Sequence, residues 1–264
     1  MHMKIYKDIF LCNGNLLAAK GESVSTEKLV EHLIRGDILK ESLDIAIPPE
    51  QVVEAYLKAE VGAALPLSSR TLKDAAVKMA AAIVSRENNV RRVLQMFSTR
   101  DSVTWGHSLR VALITAALAS TLDIDGVESV EGALVHDVGK AFMMPLIQKS
   151  GKLTPEEFSI VKEHPAIGFR LLKGAKFSNG VAQVALYHHE RANGSGYLGL
   201  YEEDIPDTAV VVAIADTIDA MASKRSYKEA ASMDEVLKVL NEEQEERHLF
   251  NKELFKRSLG LITA

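Results

Sequence analysis

From about residue 68 to its end, the chain carries one helical period after another and almost no strand signal, and this constrains the fold more than any other feature. Ala, Leu and Val recur at three- and four-residue spacing, interrupted by loops with Gly, Asn and Pro. The pattern predicts helices over about 68–86, 88–99, 102–121, 128–141, 155–163, 165–173, 179–190, 207–223, 233–246 and 251–262. Two begin with capping-box pairs, Thr154 with Glu157 and Ser232 with Glu235, and Pro155 takes the first helical position of one of them. The expected fold is mainly α, a helical bundle.

The first 62 residues read differently. Two short apolar segments flank Asn13-Gly14, a dipeptide suited to a type I′ turn, so a β-hairpin is expected over 4–20. Ser25 is placed to cap a helix that Gly36 stops, a short strand near Ile38 and Leu39 can join the hairpin, and a further helix is expected over about 50–59. The chain therefore divides into a small α+β unit over 1–62, connecting helices over 63–99 and a helical domain over 100–264.

Composition narrows the chemistry. A net charge of -5 gives no general reason to bind DNA, and the apolar run 209–215 is far shorter than the roughly 20 residues of a membrane span. No secretory leader opens the chain, so a cytoplasmic protein is expected. A single cysteine, Cys12, leaves imidazole and carboxylate as the only material for a metal site.

That material is concentrated. Of eight histidines, His107, His136, His164, His188 and His189 fall on or near successive predicted helices, with Asp137 beside His136 and Asp216 in a later one. A lone histidine on such a helix is more often structural, but this set is large enough for two metal ions without sulfur. Neighbouring helical residues point about 100° apart, so His136 can address one ion while the Asp137 carboxylate bridges two. On the same reading Lys140 returns to the helix face of the pair, and Arg110, one turn beyond His107, adds a second cation suited to an anionic substrate. Two metals roughly 3.5 to 4 Å apart favour hydrolytic phosphoester cleavage. Asp219 is placed either to orient an imidazole or to lie on the helix surface.

The ordered run His107-Ser-Leu-Arg-Val, His136-Asp-Val-Gly-Lys, Gly151-Lys-Leu-Thr-Pro-Glu-Glu, His164-Pro-Ala-Ile-Gly, His188-His-Glu, Asn193-Gly-Ser-Gly-Tyr-Leu-Gly-Leu and Ala215-Asp-Thr-Ile-Asp-Ala-Met resembles the HD-GYP family, phosphodiesterases of the HD superfamily that cleave cyclic di-GMP. The resemblance covers about 100–264. It implies two divalent ions, iron or manganese, one held by His107, His136, Asp137 and Asp216 and the other by Asp137, His164, His188 and His189. It also implies Lys140 on the scissile phosphate, with Arg225 and Lys228 gripping the dinucleotide. The loop that opens at Asn193 and closes at Leu200 would correspond to the family's Gly-Tyr-Pro loop, near the active-site opening and implicated in contacts with a protein partner; a homodimer is also compatible.

Three features depart from the family pattern: the loop, a position before His107 and the segment after Lys140. Leu198 stands where proline is usual and Asn193 where aspartate is usual, which bears on loop rigidity and protein contacts. Val103 replaces the glutamate of trinuclear members, in favour of two metals. The segment after Lys140 is about one residue short and lacks the family's glycine. The expected reaction opens cyclic di-GMP to linear pGpG or GMP. The rival readings are hydrolysis of another nucleotide, such as cyclic GMP-AMP, and a non-catalytic module that binds nucleotide or protein.

Overall fold

The protein was analysed as a computed structural model that describes residues 2–4, 8–11, 13–19, 22–25, 70–85, 102–223 and 232–263. Near the N-terminus, β1 (His2–Lys4) pairs antiparallel with β4 (Ser23–Ser25), and β2 (Ile9–Phe10) with β3 (Leu16–Ala18). The β2–β3 hairpin forms where Asn13-Gly14 predicts it, with a different turn. In a type I′ turn Asn13 and Gly14 would be the two central residues; Gly14 has φ +84°. The Gly14 N–H donates to the Leu11 carbonyl at 2.9 Å and the Leu11 N–H to that of Asn15 at 2.8 Å, the pattern of a three-residue loop with glycine in the left-handed position. Ser25 ends β4. The helices expected over 25–36, 50–59 and 88–99 and the strand near Ile38 lie outside the described residues.

The helical region follows α1 (Arg70–Ser85), α2 (Ser102–Ala119), α3 (Gly126–Val135), α4 (Met144–Ile147), α5 (Pro155–Val161), α6 (His164–Gly174), α7 (Asn179–Tyr187), α8 (Asp207–Ala222), α9 (Met233–Arg247) and α10 (Lys252–Thr263). Both predicted capping boxes form, at the starts of α5 and α9. Helices α2 and α8 are buried along most of their length, from Leu109 to Ala119 (Arg110 partly exposed) and from Ala209 to Ala215, as helices apolar on all sides must be. They pack on each other; α1 and α3 cover α2, while α7 bridges α3, α6 and α8. Truncating a fully buried Leu113 or Ile214 to alanine would cost about 2–5 kcal/mol.

One boundary differs in a way that shapes the site. A continuous helix over 128–141 is expected, but α3 ends at Val135, His136 caps it, and Asp137 turns at φ -94°, ψ 9° into a 3-10 helix over Val138–Phe142. His136 and Asp137 thus stand at a helix end, and Lys140 reaches Asp137 across a tight turn. Close packing of this turn on α6 explains the break: a Cβ on Gly139 would lie 2.0 Å from the His164 carbonyl oxygen.

Candidate metal centre

Three of the histidines sit at or just beyond the C-terminal end of a helix, where the last carbonyls lack helical partners. His136 Nδ1 donates to the Ala133 carbonyl at 2.7 Å, His164 Nδ1 to Val161 at 2.8 Å and His188 Nδ1 to Ala185 at 2.9 Å. A carbonyl only accepts, so each Nδ1 carries the proton and each Nε2 turns a lone pair inward. His107, inside α2, is oriented otherwise. Its Nδ1 lies 2.7 Å from Asp219 Oδ2, a carboxylate that also accepts from Arg110 Nε at 2.5 Å, from Arg110 Nη2 at 3.1 Å and from Ser223 Oγ at 3.1 Å.

These side chains converge on Asp137, which is almost wholly buried. Its Oδ2 lies 3.4 Å from His136 Nε2 and 3.7 Å from His107 Nε2, and its Oδ1 lies 3.2 Å from His164 Nε2 and 3.6 Å from His188 Nε2. Each carboxylate oxygen therefore addresses its own imidazole group. Two clusters result, His107 with His136 and Asp137, and Asp137 with His164, His188 and His189, each with ligand atoms within 4.8 Å of one another. Asp216 adjoins the first, its Oδ1 3.1 Å from His107 Nε2.

The donor set fits divalent cations, and the unpaired atoms make the same point. His136 Nε2 and Asp137 Oδ1 are buried without a hydrogen bond, an arrangement that costs free energy unless something else engages them. His164 Nε2 and His188 Nε2 face each other at 3.2 Å, and with both protons on Nδ1 this sets lone pair against lone pair. A cation in each cluster would engage these atoms.

Electrostatics separates the imidazoles of the two clusters. Burial pushes His188 down to about 4, and burial likewise lowers His164 and His189, so these imidazoles are neutral and fit to ligate near neutral pH. Burial also works against charge on His107, but hydrogen bonds to Asp216 and Asp219 and the charge of Asp137 overcome it and raise His107 to about 9. Burial opposes ionisation of Asp137 and Asp216 too. The Lys140 ammonium and the surrounding imidazoles nevertheless hold Asp137 well below the usual carboxylate range, and His107 does the same for Asp216.

Of the predicted substrate cations, Lys140 Nζ bonds Asp137 Oδ2 at 2.5 Å and is 22% exposed, at the rim of the site. The guanidinium of Arg110, 24% exposed, is engaged by Asp219 and so braces the acceptor of His107. Helix periodicity could not reveal that pairing, whose partners lie 109 residues apart. Arg225 and Lys228, and the side chain of Val103, lie outside the described residues. Glu190 was missed as a separate signal. It is buried beside His189 and accepts backbone N–H groups from Leu198 and Leu200.

An HD domain family model matches residues 91–250. The chain belongs to the HD domain family. This HD domain is 40% identical over 157 residues to a cyclic di-GMP phosphodiesterase of Thermotoga maritima, covering 56% of this chain and 43% of that protein. It is 34% identical to a cyclic di-GMP phosphodiesterase response regulator of Xanthomonas campestris, covering 75% of this chain and 56% of that protein. The chain spans about half the length of the curated relatives it matches. An HD-GYP-type protein of Bdellovibrio bacteriovorus superposes with a TM-score of 0.54 at 19% identity, over 99% of this chain and 95% of that one. The HD domain of a phosphodiesterase from L. monocytogenes, in complex with cyclic-di-AMP, superposes with a TM-score of 0.52 at 20% identity, over 64% of this chain and 92% of that one. These likenesses bear out the HD-GYP resemblance and the all-α bundle. No helix among the described residues is long and apolar enough to cross a membrane.

Proposed function

We propose that this HD domain hydrolyses a cyclic dinucleotide, cyclic di-GMP foremost, with two divalent ions, iron or manganese. The observation that carries the reading is Asp137, whose two oxygens address separate imidazole groups. His107, His136, Asp137 and Asp216 would hold one ion, and Asp137, His164, His188 and His189 the other. When bound, such a pair supplies an activated water at neutral pH and neutralises a phosphoryl oxygen. Asp137 acts by bridging the two sites. Lys140, beside it at the rim, offers its ammonium to the scissile phosphate as negative charge builds there. Arg225 and Lys228 grip the flanking phosphates. Arg110 acts through Asp219 and His107. The products are linear pGpG, GMP or both.

Relatives give the reading its substrate class, and two of them favour a second substrate. Proteins of Vibrio cholerae named 3'3'-cGAMP-specific phosphodiesterases are 30% and 36% identical to this chain over 56% and 49% of its length. We extend the proposal to a cytoplasmic setting, to protein contacts through residues 193–200, and to a hydrolase spanning 100–264 behind connecting helices over 63–99 and a separate unit over 1–62. A homodimer is compatible with it.

The test is turnover of cyclic di-GMP and cyclic GMP-AMP by anaerobically purified protein supplied with Mn²⁺ or Fe²⁺. Cleavage of either supports the hydrolase, and their ratio assigns the base preference. Binding of both without cleavage by metal-replete protein would overturn it in favour of a non-catalytic module.

A further inference from the structure

One carboxylate fixes the 193–200 loop beside the second imidazole group. Glu190 follows directly on His189 and is buried. Its Oε1 accepts the Leu198 N–H at 2.8 Å and its Oε2 the Leu200 N–H at 3.0 Å. The loop lies so close that a Cβ on Gly196 would stand 2.5 Å from Glu190 Cα and 2.6 Å from its Oε2, so position 196 has room for glycine alone. Between Gly196 and Leu198 stands Tyr197. Its ring tilts over that of His189 with centroids 4.4 Å apart and meets His164 edge-on at 6.4 Å. Phe158, 45% exposed on α5, stands edge-on to the same ring at 6.4 Å.

Leu198 contributes to this arrangement through its backbone. Its side chain is 53% exposed, whereas its N–H is one of the two points at which the loop is attached. A proline there has a stiffer φ but no N–H to donate. The leucine thus exchanges ring rigidity for a charge-assisted hydrogen bond, of a kind that shifts an opening equilibrium by about tenfold or more.

We propose that Glu190 is a positioning residue, holding Tyr197 as a cover on the His164 and His189 face of the Asp137 cluster, with the Leu198 N–H as one of its two attachment points. The cover slows loss of the cation held by Asp137, His164, His188 and His189, a clause that rests on the metal reading above. The Leu198→Pro variant removes one attachment and leaves the carboxylate in place. Glu190→Gln leaves one acceptor and sets an amide N–H against the other donor. Tyr197→Ala removes the cover and keeps the tether.

The experiment follows release of Mn²⁺ from the loaded full chain into excess chelator, together with hydrogen exchange at the Leu200 amide of the metal-free chain. Leu198→Pro and Glu190→Gln are each expected to release one Mn²⁺ equivalent about tenfold faster than the parent. The double variant should be no faster than Glu190→Gln alone, because with proline at 198 the glutamine oxygen is free to accept the Leu200 N–H and its NH₂ no longer meets a donor. Tyr197→Ala should release at least as fast as either. Parental release rates in Leu198→Pro and Glu190→Gln, or additive acceleration in the double variant, would overturn the proposal. If the parent retains no Mn²⁺, the metal reading fails and the tether is judged on exchange alone: faster Leu200 exchange in Glu190→Gln supports it, and unchanged exchange overturns it.

Discussion

Replacing Asp219 by asparagine changes little in shape and much in hydrogen bonding. The carboxylate accepts four bonds, from His107 Nδ1 at 2.7 Å, from Arg110 at 2.5 and 3.1 Å and from Ser223 at 3.1 Å, and Asp219 itself is buried. An amide has one acceptor end. If its oxygen faces His107, its NH₂ meets the Arg110 guanidinium donor against donor. If it flips, the NH₂ faces His107 Nδ1 and favours the tautomer with the proton on Nε2, the nitrogen that points at Asp137 and Asp216. In the first case the stranded guanidinium, 24% exposed, costs about 1–3 kcal/mol of fold stability. In the second the ligand is lost in its useful form. Partners that orient a metal-bound imidazole are worth about 10- to 100-fold in affinity, so one of the two metal equivalents should weaken by that factor. Titration of metal-free Asp219→Asn with Mn²⁺ by calorimetry measures it, with Arg110→Gln as the comparison, since that variant keeps the Asp219 to His107 bond and should lose less. Parental affinity for both equivalents in Asp219→Asn would refute the reasoning.

The metal-free protein should be most stable near pH 6.5. His188, at about 4 when folded against an ordinary value of 6.5, makes stability fall as pH drops from 6.5 through 4, and His107, at about 9 when folded, makes it fall as pH rises from 6.5 through 9. Each effect amounts to about 3 kcal/mol, and urea midpoints across pH would show the maximum, whereas a midpoint rising steadily from pH 6.5 to 9 would contradict it. Gly139→Ala drives a Cβ into the His164 backbone and should cost about 3 kcal/mol, at the upper end for overpacking, with loss of metal from the second cluster; thermal unfolding and metal content check it. Arg225→Ala should raise KM for the dinucleotide with metal content unchanged, as measured by steady-state kinetics and metal analysis of the same sample.

Local signals carried the helix starts. The Thr154 and Ser232 capping boxes depend on residues three apart, and both formed. The convergence of the imidazoles on Asp137 was legible because they are strung along the chain in order, with Asp137 beside His136. The end of α3 was not. Neither glycine nor proline marks Val135, and the apolar run from Ala133 to Val138, interrupted by the His-Asp pair, reads on as helix; the turn is imposed by packing of Gly139 on α6, a contact between separate elements. The role of Arg110 was hidden for the same reason, since its spacing from His107 says where it lies on α2 and nothing of Asp219 on α8. In the hairpin, Asn13-Gly14 marked the turn, while its type followed from which backbone groups pair, Gly14 with Leu11 and Leu11 with Asn15.

By the proposal above, Asp137 joins two metal sites into one hydrolytic centre. Metal analysis of anaerobically purified protein and of Asp137→Ala, paired with turnover of cyclic di-GMP by the same samples, tests it most directly. Two metal equivalents and turnover are expected in the parent, and loss of both metal and turnover in the variant. Full turnover by Asp137→Ala with unchanged metal content would contradict it.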